Sequence, residues 1–170
     1  MKFYIAQGIG FAAMALLFFA FQQNDKRKIL WGQATAAILF TFHYLLLGAW
    51  TGMVMNMLVI PRNLILAKEN KHQKIWAALF IAAFIGVGLF AWESPLSIFP
   101  ILGMALSTIA FSLKKPRHIR LCNLPVSALW LTYNILSLSI AGACTEIFNL
   151  LSIAIAIVRF DLIPKKSEQR

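Results

Sequence analysis

Apolar residues fall in seven stretches, near 3–22, 30–49, 51–67, 75–92, 95–113, 121–139 and 141–160. Each approaches the about 20 residues an α-helix needs to cross a bilayer, with roughly 17 as the lower limit. The gaps between them alternate in charge. The first holds Lys26, Arg27 and Lys28, the next (Ala49-Trp50-Thr51) none, and the third Lys68, Lys71 and Lys74. Glu93 stands alone in the fourth, Lys114, Lys115, Arg117 and Arg120 fill the fifth, and Ile140-Ala141-Gly142 is again uncharged. The tail carries Arg159, Lys165, Lys166 and Arg170; only Lys2 falls on the other side, and Arg62 lies inside a stretch. A soluble fold has no reason to alternate its basic loops. A membrane protein does, because basic loops stay on the cytoplasmic face. The pattern predicts an all-α membrane protein of seven transmembrane helices, N-terminus outside and C-terminus cytoplasmic.

Composition narrows this further. The 170 residues are 60% hydrophobic, with a mean hydropathy of +0.74, outside the range of ordinary globular domains. Seven spans use nearly the whole chain and leave no room for a soluble domain. A net charge of +10 would suggest nucleic acid in a soluble protein. Here it reads as topology signals that meet anionic headgroups, so the expected partner is the lipid bilayer and not nucleic acid. The first stretch is read as a retained helix, since Phe21-Gln22-Gln23 is no small-residue cleavage site. Cys122 and Cys144 fall near opposite faces, which argues against a disulfide. No phosphate loop, nucleophile elbow, metal-binding His pair or acidic cluster appears. Neither catalytic residues, metal nor cofactor is expected.

The chain also carries an internal repeat. Shifted by 93 positions, Gly10 meets Gly103, Phe18 meets Phe111, Arg27 meets Arg120 and Asn56 meets Asn149. Basic turns fall on basic turns and uncharged turns on uncharged turns. The fourth helix has no counterpart, so both three-helix units thread in the same sense. The expected division is a first bundle over 1–68, a linker helix over 74–92, a second bundle over 95–160 and a tail over 161–170. In the linker, Ala78, Ala82 and Gly86 stand four apart, a small-residue stripe suited to close helix packing.

With these features the chain resembles the SWEET/SemiSWEET and PQ-loop superfamily, and more closely the YgjV-type bacterial inner-membrane proteins. The resemblance implies a three-plus-one-plus-three fold in the bacterial inner (plasma) membrane. In SWEET-like transporters an asparagine on the third helix of each bundle lines a central pocket and faces an aromatic residue sixteen positions earlier. Here Asn56 pairs in that way with Phe40, and Asn149 with Tyr133. These four are the substrate-binding candidates. The superfamily's Pro-Gln dipeptide is replaced by Phe21-Gln22 and Leu113-Lys114, and of the two hinge prolines only Pro125 is present, with Gly32 at the other position.

Two readings stand for each polar residue inside a span. Asn56 and Asn149 either bond a neighbouring helix or face a wet pocket, where an amide offers both donors and acceptors. Glu146, three residues before Asn149 and on its face, is either a functional acid or a carboxylate near the outer headgroups. His43 either joins Glu146 in a proton relay or is satisfied by an adjoining helix. Arg62 follows Pro61, which removes a backbone donor. It either snorkels to the inner interface or acts with Pro61 and Pro125 in a cytoplasmic gate, or as an anchor for an anionic substrate. Trp130, Tyr133 and Asn134 share a face, either to stack on a ligand or to pack between helices.

Three functions remain in view. The first is a passive or proton-linked transporter of a small polar, sugar-like solute by alternating access between the bundles. The second is a receptor or assembly scaffold of the same fold. The third, an intramembrane enzyme, is ranked last because no nucleophile–base set is visible. The oligomeric state is left open, since two bundles already complete one pocket.

Overall fold

Each apolar stretch becomes one helix. In the computed structural model, described over residues 1–21, 26–68, 71–113 and 116–158, the helices are α1 (Lys2–Phe21), α2 (Lys26–Leu47), α3 (Trp50–Leu66), α4 (Gln73–Phe90), α5 (Ile98–Ser112), α6 (Pro116–Leu136) and α7 (Ile140–Ile157). A short 3-10 turn, Pro95–Ser97, leads into α5. The tail assigned to 161–170 lies outside the described residues. Two helices start before their apolar stretch: α2 takes in Lys26, Arg27 and Lys28, and α6 opens on Pro116. Proline suits a first helical position, where its missing N–H has no intrahelical acceptor to lose.

Among the described residues, four helices are long and apolar enough to cross a membrane by length and composition: Lys2–Ala20, Arg27–Leu47, Gln73–Phe90 and Pro95–Ser112. Of the remaining three, α3 has 17 residues, α6 has 21 and α7 has 18. These three helices carry Asn56, Arg62 and Asn63, then Asn123, Ser127 and Asn134, then Thr145, Glu146 and Asn149.

Neighbour relations close a ring. α1 packs on α2 and α2 on α3; α5 packs on α6 and α6 on α7; α3 meets α5 and α7 meets α1. α4 lies outside this ring against α3 and α5. Its inward face is Ala77, Phe80, Phe84 and Gly88, whereas the expected stripe of Ala78, Ala82 and Gly86 is exposed. Gly88 is the residue that needs to be small. A Cβ there would stand 2.4 Å from the Ile101 side chain.

Helix boundaries align at an offset of 90, not 93. Adding 90 to α2 and α3 gives 116–137 and 140–156, within one residue of α6 and α7. The turns agree in detail. Gly48 and Leu138 both have positive φ, 74° and 55°, and Ala49 N–H donates to Tyr44 O as Ser139 N–H donates to Asn134 O. In this register Met14-Ala15-Leu16 falls on Met104-Ala105-Leu106, and Ala20-Phe21 on Ala110-Phe111. The three-residue slip is less than one helical turn, so it keeps nearly the same face. That is why the offset of 93 looks consistent from the sequence.

The new pairs share local packing. Gly52 and Gly142 correspond, as do Tyr44 and Asn134. A Cβ on Gly52 would lie 3.0 Å from the Tyr44 ring, and one on Gly142 would lie 2.2 Å from Asn134 Oδ1. Each glycine lets the preceding helix lay a polar side chain against the next one.

The turn end of the ring is tied by hydrogen bonds across its halves. Tyr44 Oη donates to Asn134 Oδ1 at 2.6 Å, and Gly52 N–H donates to Tyr133 Oη at 3.0 Å. Gln7 clamps the α6–α7 turn, giving its amide proton to Leu138 O at 3.1 Å and accepting from Ala141 N–H at 2.9 Å. His43 Nδ1 lies 2.7 Å from Ala6 O, and Nε2 lies 2.7 Å from Ser139 Oγ. A carbonyl only accepts, so Nδ1 carries the proton and Nε2 accepts from Ser139.

The starts of α3 and α7 solve the same problem differently. The first N–H groups of a helix need acceptors. At α7, Ser139 Oγ accepts from Gly142 N–H at 3.2 Å. The matching residue at α3 is Ala49, which has no such oxygen. Glu93, from beyond α4, supplies it instead and accepts from Thr51 N–H at 3.0 Å. The Thr51 hydroxyl also lies 2.8 Å from Ala91 O and 2.9 Å from Ser97 Oγ, so the end of α4 and the 3-10 turn are fastened to α3.

Replacing Glu93 with Ala is expected to destabilise the protein by about 1 kcal/mol, the usual loss of an N-cap, while Glu93→Gln keeps an acceptor and most of the stability. Ser139→Ala removes both a cap and the His43 partner and is expected to lower stability by about 2 kcal/mol. Thermal unfolding of the detergent-solubilised variants reads both; an unchanged midpoint for Ser139→Ala contradicts the network.

Candidate functional site

Inside the ring lies a cavity of about 130 Å³ lined by residues from all six ring helices. Its walls follow the offset of 90. Gln33 and Asn123, Ala37 and Ser127, Phe40 and Trp130, Tyr44 and Asn134, Asn56 and Glu146, Val59 and Asn149 all line it as pairs. The cavity is therefore built twice from the same positions, but with different chemistry on each side. The α6–α7 side supplies Asn123, Ser127, Asn134, Thr145, Glu146 and Asn149. The α2–α3 side supplies fewer polar groups, among them Arg62.

Three of the four substrate-binding candidates reach this space. Asn56 is buried and donates from Nδ2 to Gly52 O on its own helix at 3.0 Å. Asn149 Nδ2 donates to Glu146 Oε2 at 3.3 Å. Phe40 is buried on the opposite wall, its ring stacked on Tyr44 at 6.1 Å. Tyr133 is outside the lining. Its hydroxyl is taken by the start of α3, and Trp130 occupies the position matching Phe40. Sequence reasoning pairs Phe40 with Tyr133 because of the three-residue slip; the repeated Met-Ala-Leu tripeptide is the signal that points to Trp130.

Glu146 lines the cavity, with Ser127 and Asn149 bonded to its carboxylate. His43 does not join it. Both ring nitrogens are engaged by Ala6 and Ser139, and the ring is absent from the lining, so the direct His43–Glu146 relay has no contact to run through. Pro61 and Pro125 are exposed on the outer faces of α3 and α6, away from the cavity, while α3 continues through Pro61 to Leu66.

Arg62 departs furthest from a snorkelling side chain. It is 2% exposed and turned into the ring. Nε donates to Asn63 Oδ1 at 3.0 Å, and Nη1 to Ser107 Oγ at 2.7 Å and Thr108 Oγ1 at 3.2 Å. Its partners are themselves held. Ser107 and Thr108 each direct their hydroxyl proton to Met104 O, at 3.1 and 2.8 Å, which leaves their lone pairs for the guanidinium. Asn63 is oriented by its bond to Gln33 Oε1 at 3.2 Å. The guanidinium carbon also lies 5.6 Å from the Phe84 ring centre and 5.4 Å from that of Phe111. Such contacts are worth about 0.5–2 kcal/mol each. Among the described residues no carboxylate bonds Arg62, and an unpaired interior charge carries a penalty of several kcal/mol.

A second, apolar groove of about 680 Å³ runs between α1 and α7 and shares Leu17, Thr145 and Asn149 with the cavity. It faces outward through Phe18, Phe19, Phe148 and Leu151, all exposed, the surface expected of helices bathed in lipid.

Comparison with known proteins places the chain. The sequence profile of the Imp-YgjV family, described as bacterial inner membrane protein, matches residues 4–163. The inner membrane protein YgjV of Escherichia coli strain K12 is 26% identical over 165 residues, 96% of this chain and 88% of that protein. No solved structure matches. The seven helices of the described residues, four of them long and apolar enough to span a bilayer, accord with that description, and the chain belongs to the YgjV family of bacterial inner membrane proteins.

Proposed function

We propose that this protein is a transporter of a small polar solute, working by alternating access between two helix units of SWEET-like design. In this reading α1–α3 and the 3-10 turn with α5–α7 are parallel units, α4 is the linker, and all seven helices span. The N-terminus is outside and the C-terminus cytoplasmic, as the alternation of basic loops requires. The observation that carries the reading is the cavity inside the ring, lined in large part by equivalent residues of the two units, with Asn56, Asn149, Phe40 and Glu146 on its walls. A cavity between two repeats, walled by residues of both, is the arrangement a rocking carrier needs. The volume of about 130 Å³ is below the roughly 300–1,000 Å³ of common ligand pockets. It suits a solute of few heavy atoms, or a state in which the units have closed on each other. The turn-end hydrogen bonds then act as the outer gate, and the solute gradient supplies the energy.

A receptor or assembly role is the second reading. It is favoured by the same turn-end network. Gln7, His43, Tyr44 and Tyr133 bond across the units, and all of these bonds would have to part for rocking.

Purified protein in liposomes separates the two. Efflux of small labelled solutes such as glycerol, erythritol and lactate is measured for the wild type and for Asn149→Leu. Transport predicts flux of at least one solute, reduced about tenfold or more by Asn149→Leu. Absence of any flux, or flux indifferent to the substitution, removes the transporter reading.

A further inference from the structure

Among the described residues, no carboxylate bonds the positive charge that Arg62 places inside the ring. Arg62 is buried, and its five N–H donors are only partly used. Nε and Nη1 are bound to Asn63, Ser107 and Thr108, all neutral. Nη2 has no such bond. Yet among the described residues no fully buried side-chain nitrogen or oxygen lacks a partner. Nη2 is therefore not sealed in protein: it opens to the cavity that Arg62 lines.

The setting is built to hold the guanidinium in place with that edge free. Asn63 is fixed by Gln33 and the two hydroxyls by Met104 O, while Phe84 and Phe111 cover it. A cation needed only for packing would be sealed on every edge or turned toward a carboxylate. Glu146, the acid of the same cavity, does not serve. It is engaged by Ser127 and Asn149, and it matches position 56, six residues and about 9 Å of helix rise from Arg62.

We infer that the cavity is an anion site, in which the free edge of Arg62 receives the carboxylate of a small organic monoanion. One negative charge balances one guanidinium, and the planar fork fits a carboxylate. The body of the anion would lie against Val59, Phe111 and Met104, the apolar lining beside Arg62. This rests on the transporter reading and names the class of its solute, but binding at Arg62 stands apart from movement.

The test uses full-length protein in detergent at constant ionic strength. Acetate, propionate, lactate and pyruvate are each compared with the corresponding neutral amide by thermal shift. At least one carboxylate is expected to raise the melting midpoint in a saturable way, with an apparent affinity at least tenfold above its amide. Arg62→Gln should abolish the difference, and Arg62→Lys should retain part of it. Equal effects of acid and amide, no effect of any carboxylate, or a difference that survives in Arg62→Gln would overturn the inference. If Arg62→Gln does not fold, the acid–amide comparison on the wild type decides alone. Liposome flux separates the two readings. Glycerol or erythritol movement that needs Asn149, without carboxylate binding, keeps the carrier and removes the anion site. Carboxylate binding without flux of any solute does the reverse.

Discussion

A polar side chain on an apolar helix has to find its partner inside the protein, because hydrocarbon offers none. This constraint organises the molecule more than the apolar packing does. Lipid tails are as apolar as leucine, so burial alone gives the helices little reason to choose one another. What fixes their arrangement is where the amides, hydroxyls and the guanidinium are satisfied. Gln7 reaches the far turn, His43 joins α1 to α7 through Ser139, Tyr44 meets Asn134, and Asn63 meets Gln33. These bonds run between helices and across the ring, and the cavity is the space they leave.

The same constraint explains what the sequence discloses. The seven helices of the described residues are legible because loop charges and apolar length act locally, while the starts of α2 and α6 are not, since both helices extend into the basic segments. The cavity is legible in part. Asn56, Asn149, Phe40 and Glu146 stand out as polar or aromatic residues within spans, and all four line it. The partner of Phe40 is not, since two apolar helices tolerate a slip of three residues with little change of face. The repeated Met-Ala-Leu tripeptide points to Trp130 rather than Tyr133 as its counterpart, and the turns, where φ and hydrogen bonding are specific, fix it. The packing face of α4 is hidden for a related reason. A stripe of alanines and glycine permits close approach on one side, but the large rings of Phe80 and Phe84 fill the space beside α3 and α5.

Arg62 shows a different limit. A sequence reveals that an arginine sits near the end of a span, and a long side chain there ordinarily reaches for the headgroups. Ser107 and Thr108, forty-five and forty-six residues away in the chain, turn it inward. Neither is unusual in an apolar helix, where hydroxyls commonly bond their own backbone. Here they do so and still offer lone pairs to a cation. Their second role becomes visible only once α3 and α5 are side by side. The duplicated framework thus carries unequal contents: Arg62 stands where the other half has Ser152, and Glu146 where it has Asn56.

The borrowed cap at α3 has a consequence for cutting the chain. α7 begins with an oxygen of its own, Ser139, whereas α3 has Ala49 at that place and depends on Glu93 from beyond α4. A fragment ending after α3 would keep the helix and lose the acceptor at its start, because nothing in its own sequence supplies one.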